Sequence, residues 1–354
     1  MTRQQRSPAA RCAAAVAGVI VTAALVGACA GSSHAQGPAT AVPSATAQAA
    51  RPSRTPTRPA PKPTVGPIGS YAVKQVELSL VDRSRIGPDG SQVGPRDLPA
   101  LVRYPEAAAA TRSAARPAAG LFPLVVFAPG FLQCDGVYAH LLQAWASAGY
   151  VVAALTFPRT NCHLGAAADE NDLQNQPGDV SFVIRSLLAL SKRSKGPLAG
   201  LVNPREVAVA GHSDGGDTVA AVAGNTCCSD HLVVAAVVLA GAQWPPLGGK
   251  YFGTGSPPAL FVQGSADPIN PPSASVQLYQ ADTAGIRYYL DVLGAGHLTP
   301  YEGDDAQERL VAIVTIAFLN RYAAGERSAG AALARRGNVR GVAELVSGGR
   351  LPPS

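Results

Sequence analysis

Charge is scarce in this chain of 354 residues. Only 15% are Asp, Glu, Lys or Arg, while 47% are hydrophobic, the balance of a globular protein rather than a disordered one. Residues 1–70 contain no Asp or Glu, yet hold Arg3, Arg6, Arg11, Arg51, Arg54, Arg58 and Lys62. Taking those seven from 29 basic residues leaves 22 against 23 acids, so the remainder is near neutral. The net charge of +6 therefore belongs to the front of the chain and gives no reason to expect a nucleic-acid partner. No C-x-x-C pair occurs, which removes the usual zinc and dithiol redox patterns. No internal repeat is visible, and nothing in the composition calls for a metal or an organic cofactor.

The front reads as an address followed by a spacer. A short basic stretch to Arg11 leads into the uncharged run Cys12 to Val26, the length of a signal-peptide core and short for a bilayer span. It ends in Val26-Gly27-Ala28-Cys29, similar to a lipoprotein box, in which Cys29 takes the lipid and becomes the mature N-terminus. Ordinary signal cleavage after Ser33-His34-Ala35 is the alternative, and both export the protein. The expected divisions are a signal at 1–28, a linker at 29–70, a catalytic domain at 71–325 and a tail at 326–354. The linker is rich in Ala, Pro, Ser and Thr, too poor in bulky apolar side chains to offset the entropy of ordering. Proline makes it an extended spacer. The expected location is the outer side of the cell membrane, through a lipid anchor, or the medium.

Beyond residue 70, apolar runs alternate with helical spacings. Val73 to Val81 and Leu98 to Tyr104 read as strands. Leu124-Val125-Val126-Phe127-Ala128 and Tyr150 to Leu155 are continuous apolar runs, the mark of strands buried on both faces. Val207 to Ala210, Leu232 to Leu239, Leu260 to Val262 and Tyr288 to Leu293 follow, the last strand expected. Helices are expected over Val137 to Ser147, Val180 to Ser191 with Asp179 as its cap, Asp214 to Ala223 and Asp305 to Arg321. Gly325 onward reads as a short helix and a loose tail. This order implies an α/β fold with a mostly parallel sheet covered on both faces and its ligand at the C-terminal ends of the strands.

One segment carries a nucleophile's signature. Gly211-His212-Ser213-Asp214-Gly215 matches G-x-S-x-G between a buried strand and a helix, the context in which the pattern has meaning. Glycines flank the turn because side chains there would crowd the strained serine. Ser213 needs a base, and His297, in Gly294-Ala295-Gly296-His297 directly after a strand, is the candidate. His212, inside the elbow, is expected beside the nucleophile and against the substrate. Asp267, in Gly264-Ser265-Ala266-Asp267-Pro268, is the carboxylate expected to orient His297, in the chain order Ser, Asp, His. Asp291 lies inside a strand, while Asp304, Asp305, Asp214 and Asp217 suit helix N-termini. Oxyanion donors are expected from the backbone N–H groups of Asp214 and of Phe131, in Pro129-Gly130-Phe131. Phe131 and Trp244 are candidate apolar walls for an acyl or aromatic group.

Together, Pro129-Gly130-Phe131, Ala148-Gly149-Tyr150-Val151-Val152, Gly211 to Gly216, Gly264 to Pro268 and Gly294 to His297 resemble an α/β-hydrolase branch. It holds the dienelactone-hydrolase-like proteins, chlorophyllases and polyester hydrolases (cutinases). Arg96 to Pro105 is similar to the second-strand region of platelet-activating-factor acetylhydrolase relatives. The resemblance covers about Tyr71 to Tyr322. It implies an α/β-hydrolase fold without a large cap domain, and esterase or lipase activity without a cofactor. In the polyester hydrolases an aromatic residue after Pro-Gly supplies the oxyanion N–H and a Trp near Trp244 stacks on substrate. Those enzymes usually carry a neutral residue after the serine, where this chain has Asp214. The same fold makes the loops after two successive strands neighbours, which implies a Cys134–Cys162 disulfide and leaves Cys227 and Cys228 as a vicinal bridge or two thiols.

The expected activity is cleavage of small-molecule or lipid carboxylic esters through an acyl-enzyme. Acyl transfer to an envelope hydroxyl on the same fold, and a non-catalytic surface-tethered binder, are the alternatives.

Overall fold

The computed structural model describes residues 65–348 apart from 87–89, 93, 107–120, 254, 284 and 304. The expected signal, the lipid-bearing Cys29, the spacer to residue 64 and most of the Ala-rich stretch between 106 and 120 lie outside the described residues.

Eleven strands and six helices are described: β1 Val73–Leu78, β2 Val81–Asp82, β3 Arg96–Asp97, β4 Ala100–Pro105, β5 Phe122–Ala128, α1 Ala139–Ser147, β6 Val151–Leu155, α2 Gln176–Ser191, β7 Val202–His212, α3 Asp214–Gly224, β8 Val233–Leu239, β9 Ala259–Gly264, α4 Pro272–Ala281, β10 Arg287–Val292, α5 Ala306–Tyr322, α6 Ala329–Gly337 and β11 Ala343–Ser347. Nine form one sheet in the order β1-β4-β6-β5-β7-β8-β9-β10-β11. From β6 through β10 every neighbouring pair is parallel, while β1, β4 and β11 add antiparallel edges. This is the α/β-hydrolase architecture, and it puts the C-terminal ends of β5, β7, β9 and β10 along one edge.

The apolar runs have two jobs, because both sheet faces are covered. Val125 and Phe127 join α1 and α5 around Trp145, Tyr138 and Phe318. Their chain neighbours Leu124 and Val126 point the other way, into a second core with α2, α3 and α4. All seven residues of β5 and all five of β6 are buried. Continuous rather than alternating hydrophobicity is the consequence.

Three expectations change. Asp179 does not cap a helix beginning at Val180. The helix starts at Gln176, with Pro177 in its first turn, and Asp179 lies inside it, fully buried. Its carboxylate accepts from Arg85 Nη1 at 2.6 Å and from Arg96 Nε and Nη2 at 2.7 and 2.6 Å, so ion pairing rather than capping explains the acid. The strand over Tyr288 to Leu293 is not the last, and the tail as far as residue 348 is ordered into α6 and β11. Leu345 packs on Gly337 and β11 pairs with β10 from Tyr288↔Ser347 to Val292↔Ala343, closing what would be an open edge. Helix α4, which begins at Pro272, is not among the expected elements.

Arg96 forks onto Asp172 at 2.8 and 2.7 Å while holding Asp179, and Arg85 forks onto Asp82 at 2.9 and 2.8 Å. All five side chains are buried. The network joins the β2–β3 ribbon to α2. Removing one cation strands buried carboxylates, so Arg96→Met is expected to cost about 3–5 kcal/mol of stability, read by urea unfolding. A loss under about 1 kcal/mol would show that the network is not load-sharing in this way.

Candidate active site

Ser213 is the single residue between β7 and α3, with φ 55° and ψ −123°. A non-glycine residue with positive φ is held there only by its surroundings. Those surroundings are the glycines. A Cβ on Gly215 would lie 2.0 Å from the Ala128 carbonyl oxygen, and one on Gly211 2.1 Å from that of Gly215. A Cβ on Gly130 would meet Ser213 Cβ at 3.1 Å, so the loop after β5 presses directly on the serine. Ser213 is half-buried and heads α3, whose first N–H groups have no intrahelical acceptor.

The loop after β10 brings His297 to the loop after β9. His297 Nδ1 donates to Asp267 Oδ2 at 2.7 Å. Asp267 is 4% exposed and is held on every side: Oδ1 accepts the N–H of Ile269 at 2.8 Å and of Asn270 at 3.0 Å, and Oδ2 accepts Gln263 Nε2 at 3.0 Å. Gln263 Oε1 in turn accepts Ser275 Oγ at 2.6 Å. With Nδ1 as donor, the imidazole is left with Nε2 as an acceptor, a form able to take a proton. Asp291, inside β10, takes no part in this cluster.

His212 is placed differently from the expectation of a substrate contact. It is 1% exposed and lies against Tyr138, His297 and Tyr301, with ring centroids 5.6, 4.6 and 4.9 Å away. Its Nε2 donates to the carbonyl of His297 at 2.9 Å, so Nδ1 accepts the Tyr138 hydroxyl, also at 2.9 Å. Tyr138 Oη accepts the N–H of Gly130 at 3.3 Å. Burial, then the neighbouring His297, lowers the pKa of His212 to about 3, so it stays neutral. A buried neutral ring bonded at both nitrogens has no face left for a ligand.

Phe131 and Asp214 flank Ser213 through the Gly130 contact and the chain itself. Neither of their N–H groups has a protein acceptor among the described residues. The loop of Phe131 is pinned to the loop after β6 by the Cys134–Cys162 disulfide, Cα–Cα 5.4 Å, and by Leu132 N–H to the Thr160 carbonyl at 2.7 Å. Cys227 and Cys228 form the vicinal bridge. Trp244 is half-buried in the loop after β8 and lines a cavity of about 450 Å³ with Gln243, Lys250 and Tyr251, one that does not include Ser213. Among the described residues the one cluster of metal-ligand type is Cys134, Cys162 and His163, and its cysteines are spent in the disulfide.

Tyr138, Gln263 and Glu170 are the site residues that the sequence reading missed. Gln263 carried a signal, a polar residue ending the apolar run Leu260-Phe261-Val262, where a buried amide needs a partner. Tyr138 and Glu170 carried none, since their roles depend on contacts with distant residues.

A sequence model of one protein family, described as PETase (PET hydrolase-like), matches residues 109–332, more than half of the chain. A search of curated proteins gave no match.

Asp214 is half-buried, one carboxylate oxygen is buried without a partner, and burial followed by repulsion from Glu170 raises its pKa to about 7. In the unfolded chain it ionises near 3.8. Between these values the unfolded state releases a proton that the folded state keeps, so this group's contribution to stability falls as pH rises from about 4 to 7. Asp214→Asn should therefore be more stable than the parent by about 1–3 kcal/mol at pH 8 and equal to it near pH 3, by urea unfolding. A constant difference across that range would count against the raised carboxyl.

Proposed function

The chain belongs to the PET hydrolase-like family and is a carboxylic-ester hydrolase, and from that premise we propose that it works as an exported serine esterase with Ser213 as nucleophile, His297 as base and Asp267 as the group that fixes the base. Supporting this above all is the 2.7 Å bond from His297 Nδ1 to a fully enclosed Asp267, beside a serine held at positive φ. That bond presents a bare Nε2, the nitrogen a serine hydroxyl needs.

In this reading His297 Nε2 takes the Ser213 proton as Oγ attacks the ester carbonyl. Negative charge develops on the carbonyl oxygen and is met by the N–H groups of Phe131 and Asp214. The imidazolium, stabilised by Asp267, returns its proton to the leaving alkoxide as the acyl-enzyme forms. Water then repeats the sequence from the other side and frees the acid. Phe131 and Trp244 are the proposed apolar surfaces for the acyl or aromatic part, and a small-molecule or lipid ester is the proposed substrate class. The proposed setting is the outer face of the membrane, with Cys29 lipidated and residues 29–70 as tether, or release after ordinary cleavage.

Turnover of p-nitrophenyl esters from acetate to palmitate is the test, with Ser213→Ala beside the parent. The variant is expected to lose at least about 1,000-fold in kcat/KM and all labelling by a fluorophosphonate. A folded parent that neither turns over any ester nor takes the label would overturn the nucleophile and favour the tethered binder.

A further inference from the structure

Helix α5, helix α6 and the turn after Val65 enclose an open groove of about 640 Å³ that is separate from the Ser213 site. Ile68, Leu310, Ile313 and Val339 give it an apolar floor, and Arg309 and Arg336 stand at its border. Ile68, Ile313 and Val339 are 44%, 36% and 38% exposed, which is unusual for large aliphatic side chains gathered in one place. Leu293, another exposed aliphatic, extends the face: its N–H bonds the Val342 carbonyl and its own carbonyl accepts from Gln307 at the start of α5. Leu293 precedes His297 by four residues, so the face runs toward the catalytic edge of the sheet.

Charge along α6 has one sign. From Arg327 to Arg340 the chain holds Arg327, Arg335, Arg336 and Arg340 and no acid. All four are exposed, and none forms a salt bridge among the described residues. The nearby acids on α5 are committed elsewhere, Asp305 to capping the helix and Glu308 to burial. Pro67 and Ile68, which line the groove, follow Arg51, Arg54, Arg58 and Lys62 in sequence.

We propose that this face docks on an anionic lipid surface, the exposed aliphatic side chains entering the acyl region through the groove and the α6 arginines meeting phosphate headgroups. Apolar insertion and a basic cluster are each weak alone, and stable attachment takes two such signals together. Guanidinium groups suit the role because they pair bidentately with phosphate while their stems lie along apolar surface. The inference does not depend on which residue is the nucleophile.

Co-sedimentation with vesicles of the mature chain carrying Cys29→Ser, so that no lipid is attached, tests it, using ether-linked phosphatidylglycerol, which an esterase cannot cut, and ether-linked phosphatidylcholine as the neutral counterpart; this lipid-free chain is the parent for the variants. The parent is expected to bind the first and not the second, and about 0.5 M salt should weaken binding. R335E/R336E/R340E and, separately, I313S/V339S are each expected to weaken vesicle binding about tenfold or more, with the thermal unfolding midpoint unchanged. Equal binding of the parent to neutral vesicles would overturn the proposal. So would face variants that bind as the parent does while substitution of Arg51, Arg54, Arg58 and Lys62 abolishes binding, since the front of the chain would then be the lipid-binding element. Parent protein that ignores vesicles but adsorbs to a polyester film through the same residues would overturn it too, and reassign the face to a polymer surface.

Discussion

The turn at Ser213 is the constraint on which the rest of the molecule depends. The chain passes from a buried strand to a buried helix through one residue, at a backbone conformation that costs of order 1–3 kcal/mol unless its surroundings impose it. Those surroundings leave no tolerance. The Ala128 carbonyl lies where a Cβ of Gly215 would be, and Gly216 packs on Gly241, so β5, β7, α3 and the loop after β8 meet backbone to backbone. Close approach of this kind is possible only if both faces of the sheet are firmly clamped. The double core serves that end: Leu124 and Val126 are locked from one side, Val125 and Phe127 from the other. Strain at one serine is thus sustained by apolar burial spread over the whole sheet.

A second tier holds the loops that a strand end alone does not fix. The N–H of Gly130 reaches Tyr138, Tyr138 reaches His212, and His212 reaches the carbonyl of His297. The loop pressing on the serine and the loop carrying the candidate base are therefore joined through two buried rings, Tyr138 and His212. That linkage works only while His212 is neutral, because a cation would have to donate from Nδ1 toward a hydroxyl that already serves as its donor. Burial ensures this by holding its pKa far below the ordinary range. On the opposite side, Gln176 donates to Thr160 at 3.0 Å and accepts from Thr218 at 2.7 Å, tying α2, α3 and the loop of Cys162 with no charge at all.

How much of this could be read from the sequence follows from the range of each contact. The parallel sheet was legible because a strand buried on both faces must be apolar throughout, and Leu124 to Ala128 shows that by itself. The elbow was legible because its pattern is contiguous between a buried strand and a helix, although of its contacts only that of Gly211 with Gly215 is local and Gly215 answers to Ala128, far away in the chain. Asp267 and His297 were legible as strand-end residues, which topology alone puts on one edge. The family match supports the fold and the ester chemistry, while the roles of Ser213, Asp267 and His297 are proposals argued from geometry. Most of the missed features are long-range. Asp179 looks like a cap until Arg85 and Arg96, 94 and 83 residues earlier, are seen to claim it. The edge strand β11 is short, only its first residue is buried, and its pattern carries no signal until β10 is there to pair with it. His212 read as a substrate contact because nothing local reveals that Tyr138 and Tyr301 enclose it.

Asp214 poses the remaining question of how an acid can follow the proposed nucleophile. An ionised carboxylate beside a forming oxyanion opposes it, and in a partly desolvated site that opposition is strong. Three acids share this corner. Asp214 lies in the first turn of α3, Asp217 is almost fully buried one turn on with Oδ1 accepting the N–H of Ala242 at 2.6 Å, and Glu170 approaches from the loop before α2. Burial raises the first two, and each ionised neighbour raises them further. The outcome is that Asp217 lies well above the ordinary carboxylate range and Asp214 is raised to about 7. In its protonated form Asp214 is a dipole with a hydrogen to donate rather than a charge, compatible with an oxyanion held by its own backbone N–H. The helix N-terminus favours the ionised form, so the two influences oppose each other at this residue. The position is thus one where the chemistry of the site and the protonation of the scaffold are the same equilibrium.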